Sequence, residues 1–303
     1  MRSRPPKATP LKLHVSATNE SAEPLLITSG DELRQAVLHA SQRGQSVGLV
    51  PTMGALHDGH LSLVDAARAE CDLSVVTIFV NPTQFAPNED FQKYPREVTR
   101  DLSLLAGRGC DIVFAPGNDS IYRPNHSTFV DVGPIGTMLE GEFRPTHFRG
   151  VATVVMKLFQ LAPADRAYFG RKDYQQTLVV RQMVADLDVP IEVRVCPTVR
   201  EPDGLAMSSR NRYLTPDEHQ RALVLSRSLR MADELFAAGE RSASVLRQKI
   251  THEIESIGGV QIQYIAIVAD GTLTPVEHID SPTTIALAAT IGKTRLIDNI
   301  VIG

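Results

Sequence analysis

The sequence predicts an α/β chain: a parallel sheet with helices on both faces, followed by a smaller α+β region. Three observations predict it. Short apolar runs recur at residues 47–50, 73–80, 112–115, 167–169 and 191–195, each bounded by turn residues, as expected of strands buried on both faces. Helical patterns lie between them, at about residues 61–69, 97–106, 151–161 and 174–187, and strand-helix-strand alternation is the mark of right-handed parallel crossovers. Past about residue 198 the alternation stops, and helices and β-like runs segregate.

Taken in order, residues 1–27 read as a flexible extension, because Arg2, Arg4, Pro5, Pro6, Lys7, Pro10 and Lys12 stand among small polar residues without periodicity. No acid precedes Glu20, which is compatible with an organellar targeting peptide, but the prolines oppose the amphipathic helix such peptides form. Order is expected from Ser29, where Ser29 and Glu32 resemble a capping box and Leu33, Ala36, Val37 and Ala40 make one apolar helical face ending at Gly44. After the alternating segment, residues 201–213 form a polar loop, Thr215-Pro216 opens a helix to about residue 238, and a second helix covers about residues 243–257. β-like runs follow at 261–268, 284–289 and 295–302. The expected division is an extension (1–27), a ligand-binding domain (28–198) and a C-terminal α+β lid domain (199–303).

Composition narrows the function. The chain has 303 residues, 43% hydrophobic and 22% charged, enough for a sizeable core. Its formal charge of −4 provides no field that would hold nucleic acid or an anionic membrane, so neither is expected as a partner. Cys71, Cys110 and Cys196 are far apart with no CxxC spacing, and no run approaches the roughly 18 apolar residues of a membrane span. A cytoplasmic location is expected.

Parallel sheets bind ligands beyond the carboxyl ends of their strands, and three polar clusters fall there. Pro51-Thr52-Met53-Gly54-Ala55-Leu56-His57-Asp58-Gly59-His60 links a strand to a helix; its glycines allow close backbone approach, the helix start offers free N–H groups to phosphate, and the histidines add donors. The histidine pair could instead bind metal or belong to a structural turn, although no third ligand is evident and HExxH is absent. Asn81-Pro82-Thr83-Gln84-Phe85 follows the next strand, either as amides suited to a small polar substrate or as a plain Asn-Pro turn. Gly170-Arg171-Lys172-Asp173-Tyr174-Gln175-Gln176 repeats the arrangement, with Lys172 as a point charge for phosphate or as part of a solvated helix start. The 201–213 loop carries Met207-Ser208-Ser209-Arg210, suited to closing over a polyphosphate or serving as an exposed linker. Gly292-Lys293-Thr294 has the end of a P-loop, but Leu287 stands where the first glycine belongs, and a hairpin turn is expected instead.

Together these clusters, with Tyr94-Pro95-Arg96 and Arg144-Pro145-Thr146-His147-Phe148-Arg149-Gly150, closely resemble the pantoate–β-alanine ligase family over about residues 31–302. In the wider nucleotidyltransferase superfamily, whose domain is Rossmann-like, His57 to His60 resembles the HIGH motif and Met207-Ser208-Ser209-Arg210 the KMSKS loop. The resemblance implies that ATP and (R)-pantoate form a pantoyl adenylate and pyrophosphate, and that β-alanine then attacks to give pantothenate and AMP. It further implies catalytic roles for His57, His60, Lys172, Ser208, Ser209 and Arg210, with Mg²⁺ bridging phosphates. Met53 to His60, Gly170, Arg171, Lys172, Asp173, Val199 and Met207 to Arg210 match ATP-contacting positions. Gln84 matches a pantoate and β-alanine position, Gln176 a pantoate position, Asn81 and Tyr94 further substrate positions, and Asp101 an acid near the metal. For His60, a depressed pKa at a helix N-terminus favours neutral hydrogen bonding over proton donation. A homodimer is implied as well. Two residues depart from the family pattern: Arg171 replaces the usual Glu, adding positive charge beside the phosphate site, and Thr83 replaces the usual Met. Three other readings stay open: an adenylyltransferase for a different acid, a non-catalytic nucleotide binder motivated by Arg171, and a metal-dependent hydrolase using His57 and His60.

Overall fold

The structure is a computed structural model that describes residues 23–87 and 89–303. The reading of residues 1–22 lies outside the described residues. Order begins earlier than Ser29: Leu25–Ile27 forms strand β1, parallel to the strand at Ile112–Phe114, so the expected extension overran the sheet by one edge strand. A three-residue strand is too short to show periodicity, and its conformation is fixed by its neighbour.

The chain continues as α1 (Gly30–Gln42), β2 (Val47–Thr52), α2 (Asp58–Glu70), β3 (Leu73–Ile78), α3 (Val98–Gly107), β4 (Ile112–Phe114), α4 (Asn118–Ile121), α5 (Glu140–Phe143), α6 (His147–Leu161), β5 (Arg166–Gly170), α7 (Tyr174–Asp186) and β6 (Glu192–Cys196). Ser29 caps α1 by accepting the Glu32 N–H at 3.4 Å. The six strands form one parallel sheet in the order β1-β4-β3-β2-β5-β6. Successive strand residues enter opposite layers, as the period of two requires. Leu49, Val75, Phe114 and Phe169 pack with α1, α6 and α7, whereas Val50, Val76, Val113 and Tyr168 pack with α2 and α3.

The remainder is α8 (Pro216–Ala237), α9 (Ala243–Glu255) and the antiparallel strands β7 (Val260–Ala269), β8 (Thr283–Ile291) and β9 (Thr294–Ile302). Thr215 and Glu218 make a full capping box at the start of α8. Gly292 and Lys293 join β8 to β9, so the P-loop-like string is a hairpin turn as expected. One face of this sheet is covered by α8 and α9. From its other face, Ala266, Val268 and Ala286 pack against Tyr174 and Leu178 of α7, which places the small sheet beside the carboxyl end of β5.

Candidate active site

From β2 the chain moves outward through β3 to β4, then returns to β5 on the far side of β2, so the strand order reverses between β2 and β5. Such a reversal leaves a crevice beyond the carboxyl ends of the two strands. Met53 and His60 after β2, Gln84 after β3, and Asp173 and Gln176 after β5 line one pocket there, together with Arg210. Lys172 and Ser208 line its continuation between α7 and the small sheet.

The turn after β2 is held from behind. Gly54 has φ +78°, and a Cβ there would lie 3.0 Å from the Asp101 carboxylate. Asp101 is 0% exposed and accepts the N–H groups of Ala55 and Leu56, both at 2.9 Å. Thr52 accepts from the Gly54 N–H at 3.1 Å, and His57 Nδ1 accepts from the Gly59 N–H at 3.2 Å as the α2 cap. Of the helix-start N–H groups expected to be free for phosphate, those of Gly59 and His60 are thus bonded to His57, and the preceding turn's donors are committed as well. Asp101 is not brought into the crevice: both of its oxygens accept from the turn, and it lines a separate opening.

What the turn offers a ligand is imidazole. The His57 and His60 ring centroids are 4.1 Å apart. Burial, then Lys172, pushes the His57 pKa down to about 4. Burial, then His57 and Lys172, holds His60 well below its ordinary value. The direction expected for His60 therefore holds, but burial rather than the helix end is its main cause. An accepting Nδ1 puts the His57 proton on Nε2, and the His60 Nδ1 is buried without a partner. Both rings are neutral at pH 7. Because the folded pKa of His57 lies below its unfolded value, the neutral ring's contribution to stability is full above about pH 6.5 and is lost as pH falls through about 4. We expect chemical-denaturation midpoints to decline over that window and single-turnover chemistry to show no acid limb between about pH 6 and 8. A limb centred near the ordinary histidine pKa would contradict the assignment.

Among the described residues, the one group of three close metal-capable side chains is Glu201, Asp203 and His219, which includes neither His60 of the crevice nor His57, which lines a separate opening beside Ser209. The two-histidine metal reading therefore lacks its ligands.

The loop bearing Ser208, Ser209 and Arg210 is no free linker. Ser208 caps a short helical turn by accepting the Arg210 N–H at 3.2 Å, and Met207 N–H bonds the Val199 carbonyl at 3.0 Å. Arg210 holds both oxygens of Asp90 at 3.0 and 3.2 Å, while Ser209 meets the Tyr94 hydroxyl at 3.2 Å. Tyr94 thus lines the pocket with its hydroxyl shared. Lys172 Nζ lies 3.6 Å from Asp173.

Two further expectations are corrected. Arg171 pairs with Asp270, donates to Thr284 at 3.1 Å and stacks over Tyr174, so its charge is neutralised away from the phosphate site. With it goes the motive for a non-catalytic reading. Asn81, expected to bind substrate, spends its amide internally on Gln84, Gly150, Thr83 and Tyr122. Conversely, Arg144 and His147 were quoted from sequence only as part of a motif. Both line the pocket; Arg144 pairs with Glu89 at 2.7 Å, and His147 Nδ1 donates to the Gln84 carbonyl at 3.0 Å. Their motif, Arg144 closing α5 and His147 opening α6 across a two-residue turn, was the available signal.

A doubly wound sheet whose crevice gathers a histidine, a lysine, two glutamines and the Ser208 to Arg210 loop defines an α/β protein with a cleft suited to an anionic ligand. The family model for pantoate-beta-alanine ligase matches residues 25–301. The chain belongs to that family. It is 53% identical over 270 residues to the pantothenate synthetase of Moorella thermoacetica, covering 89% of this chain and 95% of that one. It is 50% identical over 278 residues to the Thermotoga neapolitana pantothenate synthetase, covering 92% and 99%. The solved pantothenate synthetase of Thermus thermophilus superposes with a TM-score of 0.87 at 44% identity, over 91% of this chain and 98% of that one. The Francisella tularensis pantoate-beta-alanine ligase, solved with beta-gamma ATP and beta-alanine, gives a TM-score of 0.76 at 36% identity, over 92% and 97%.

Proposed function

We propose that this chain ligates (R)-pantoate and β-alanine to pantothenate at the expense of ATP, through a pantoyl adenylate. The observation that carries the reading is one crevice lined by His60, Gln84, Gln176 and Lys172, in a chain of this family. The Francisella relative's complex supports ATP and β-alanine as the ligands here.

In the first step a pantoate carboxylate oxygen bonds to the α-phosphorus of ATP, and the bond from that phosphorus to the β-phosphate oxygen breaks. Two anions must approach while charge moves onto the leaving pyrophosphate. Lys172 supplies positive charge, Arg210 lines the pocket with its charge shared with Asp90, His57 and His60 supply neutral N–H donors, and Ser208 and Ser209 supply hydroxyls toward the phosphates. Gln84 and Gln176 orient pantoate. Gly170, where an added Cβ would meet nothing within 4 Å, leaves room for the nucleotide at the carboxyl end of β5. In the second step the neutral β-alanine amine bonds to the acyl carbon and releases a proton to solvent, while the bond from that carbon to the adenylate oxygen breaks and AMP leaves with that oxygen.

Mg²⁺ fits this donor set as an ion carried by the phosphates. Such ions keep their waters and take one or two protein carboxylates, and Asp173 is a pocket-lining carboxylate not engaged by an arginine. When bound it would neutralise phosphate charge. Assembly as a homodimer and a cytoplasmic location are also proposed. The three cysteines are free, and no helix among the described residues is long and apolar enough to cross a membrane. Sedimentation tests the dimer. The reading itself is tested by product stoichiometry: pantothenate and AMP should appear one for one, only with all three substrates present. AMP released without dependence on β-alanine would favour a different acid-activating reaction.

A further inference from the structure

On the reading that this crevice takes pantoate and β-alanine, we propose that Asn81, Thr83 and Tyr122 form a relay that fixes the polarity of the Gln84 amide. Gln84 then presents N–H donors, and no acceptor, to the ligand.

Two backbone groups with unexchangeable roles orient Asn81. The Thr83 N–H can only donate and lies 3.3 Å from Asn81 Oδ1; the Gly150 carbonyl can only accept and lies 3.2 Å from Asn81 Nδ2. The Asn81 NH₂ therefore faces α6, and its second hydrogen meets Gln84 at 3.0 Å. The Gln84 atom receiving it must be the carbonyl oxygen. That leaves the Gln84 NH₂ with only the Met53 thioether, at 3.0 Å, and a thioether is a weak acceptor. A buried amide donor held against sulfur is poised for a better acceptor. With Asn81 1% and Gln84 8% exposed, neither can invert by bonding to water instead.

Two hydroxyls reinforce the orientation. Tyr122 donates to Asn81 Oδ1 at 2.8 Å and Thr83 Oγ1 does so at 2.9 Å, the hydroxyls themselves being 3.0 Å apart. Thr83 is the departure from the usual methionine, so this chain adds a donor where a thioether would add none. The seat is tight because Gly150 lets α6 press on the turn: a Cβ there would stand 2.4 Å from the Thr83 carbonyl oxygen.

The relay determines which ligand atoms Gln84 accepts. Carboxylate and hydroxyl oxygens fit it, whereas an ammonium group carries only donors. β-Alanine therefore meets Gln84 through its carboxylate, because the lone pair of the neutral amine is what must reach the acyl carbon.

Pantoate binding, measured by titration calorimetry with ATP binding as the control, tests the relay. Gln84→Ala should weaken pantoate binding about fivefold, and Gln84→Glu, which sets a carboxylate oxygen where the NH₂ stood, at least about tenfold more. Tyr122→Phe keeps the ring and should weaken pantoate binding about two- to fivefold, with ATP affinity unchanged. Pantoate binding by Gln84→Glu as tight as by Gln84→Ala, or unaltered by Tyr122→Phe, overturns the relay. Unmutated protein that binds pantoate but forms no adenylate overturns the functional reading alone; protein that does not bind pantoate overturns both.

Discussion

Replacing His60 or Lys172 with alanine is expected to slow adenylate formation by about 10²-fold or more, a barrier increase of roughly 2.7 kcal/mol for each. Lys172 lines the cleft with Arg144, Arg210 and Arg295, but each of those is paired closely with a carboxylate, whereas only Asp173, 3.6 Å away, partly offsets Lys172. Charge on a departing pyrophosphate would fall there. His60 acts differently. Its ring is buried and neutral, with one nitrogen lacking a partner, so it contributes a preorganised dipole that costs no reorganisation when charge develops. Single-turnover quench experiments with saturating ATP and pantoate measure the step directly. Rates near that of the unmutated enzyme would remove these residues from the chemistry, whereas weaker ATP binding alone would make them binding groups.

The second large effect is on stability. Arg295→Met is expected to destabilise the fold by about 3–5 kcal/mol, because it leaves the Glu140 carboxylate buried without its counter-ion. Arg295 bonds both Glu140 oxygens at 2.6 Å, and the Tyr264 hydroxyl adds a third bond at 2.7 Å. Burial alone would raise the Glu140 pKa, but these partners hold it below its ordinary value. The stabilisation is therefore present above the unfolded carboxylate pKa and is lost as pH falls through the lower folded one. Glu140 belongs to α5 and its partners to β9 and β7, so the pair ties the small sheet to the large one beside the cleft. Adding Glu140→Gln should recover much of the loss. Urea unfolding at neutral pH makes the comparison, and a change within about 1 kcal/mol for Arg295→Met would contradict it.

Strands β2 to β5 were legible in sequence because burial on both faces writes itself as continuous apolar runs, and the three polar clusters were legible because each follows such a run; β6 was read in the same way, but it is an edge strand with Glu192 exposed and the rest only half-buried. Strand β1 was not, since three residues at an edge carry no pattern. Residue type likewise said little about where a polar atom points. Asp101 reaches back 46 residues to the turn at Ala55, and Arg171 reaches forward 99 residues to Asp270. Both looked like ligand contacts only while their partners were out of sight. Asn81 shows the same limit: the Asn-Pro turn is there and both Asn81 and Gln84 line the pocket, but the Asn81 amide is bonded to Gln84 and its neighbours, which residue type does not reveal. Arg144 and His147 became site residues only once α6 was packed over the turn after β3.

The central claim is that the crevice activates a carboxylate with ATP before any amine arrives. Isotopic exchange between pyrophosphate and ATP tests it most directly. Label should enter ATP when enzyme, Mg²⁺ and pantoate are present and β-alanine is absent. Exchange that ignores pantoate, or that appears only once β-alanine is added, would contradict the account.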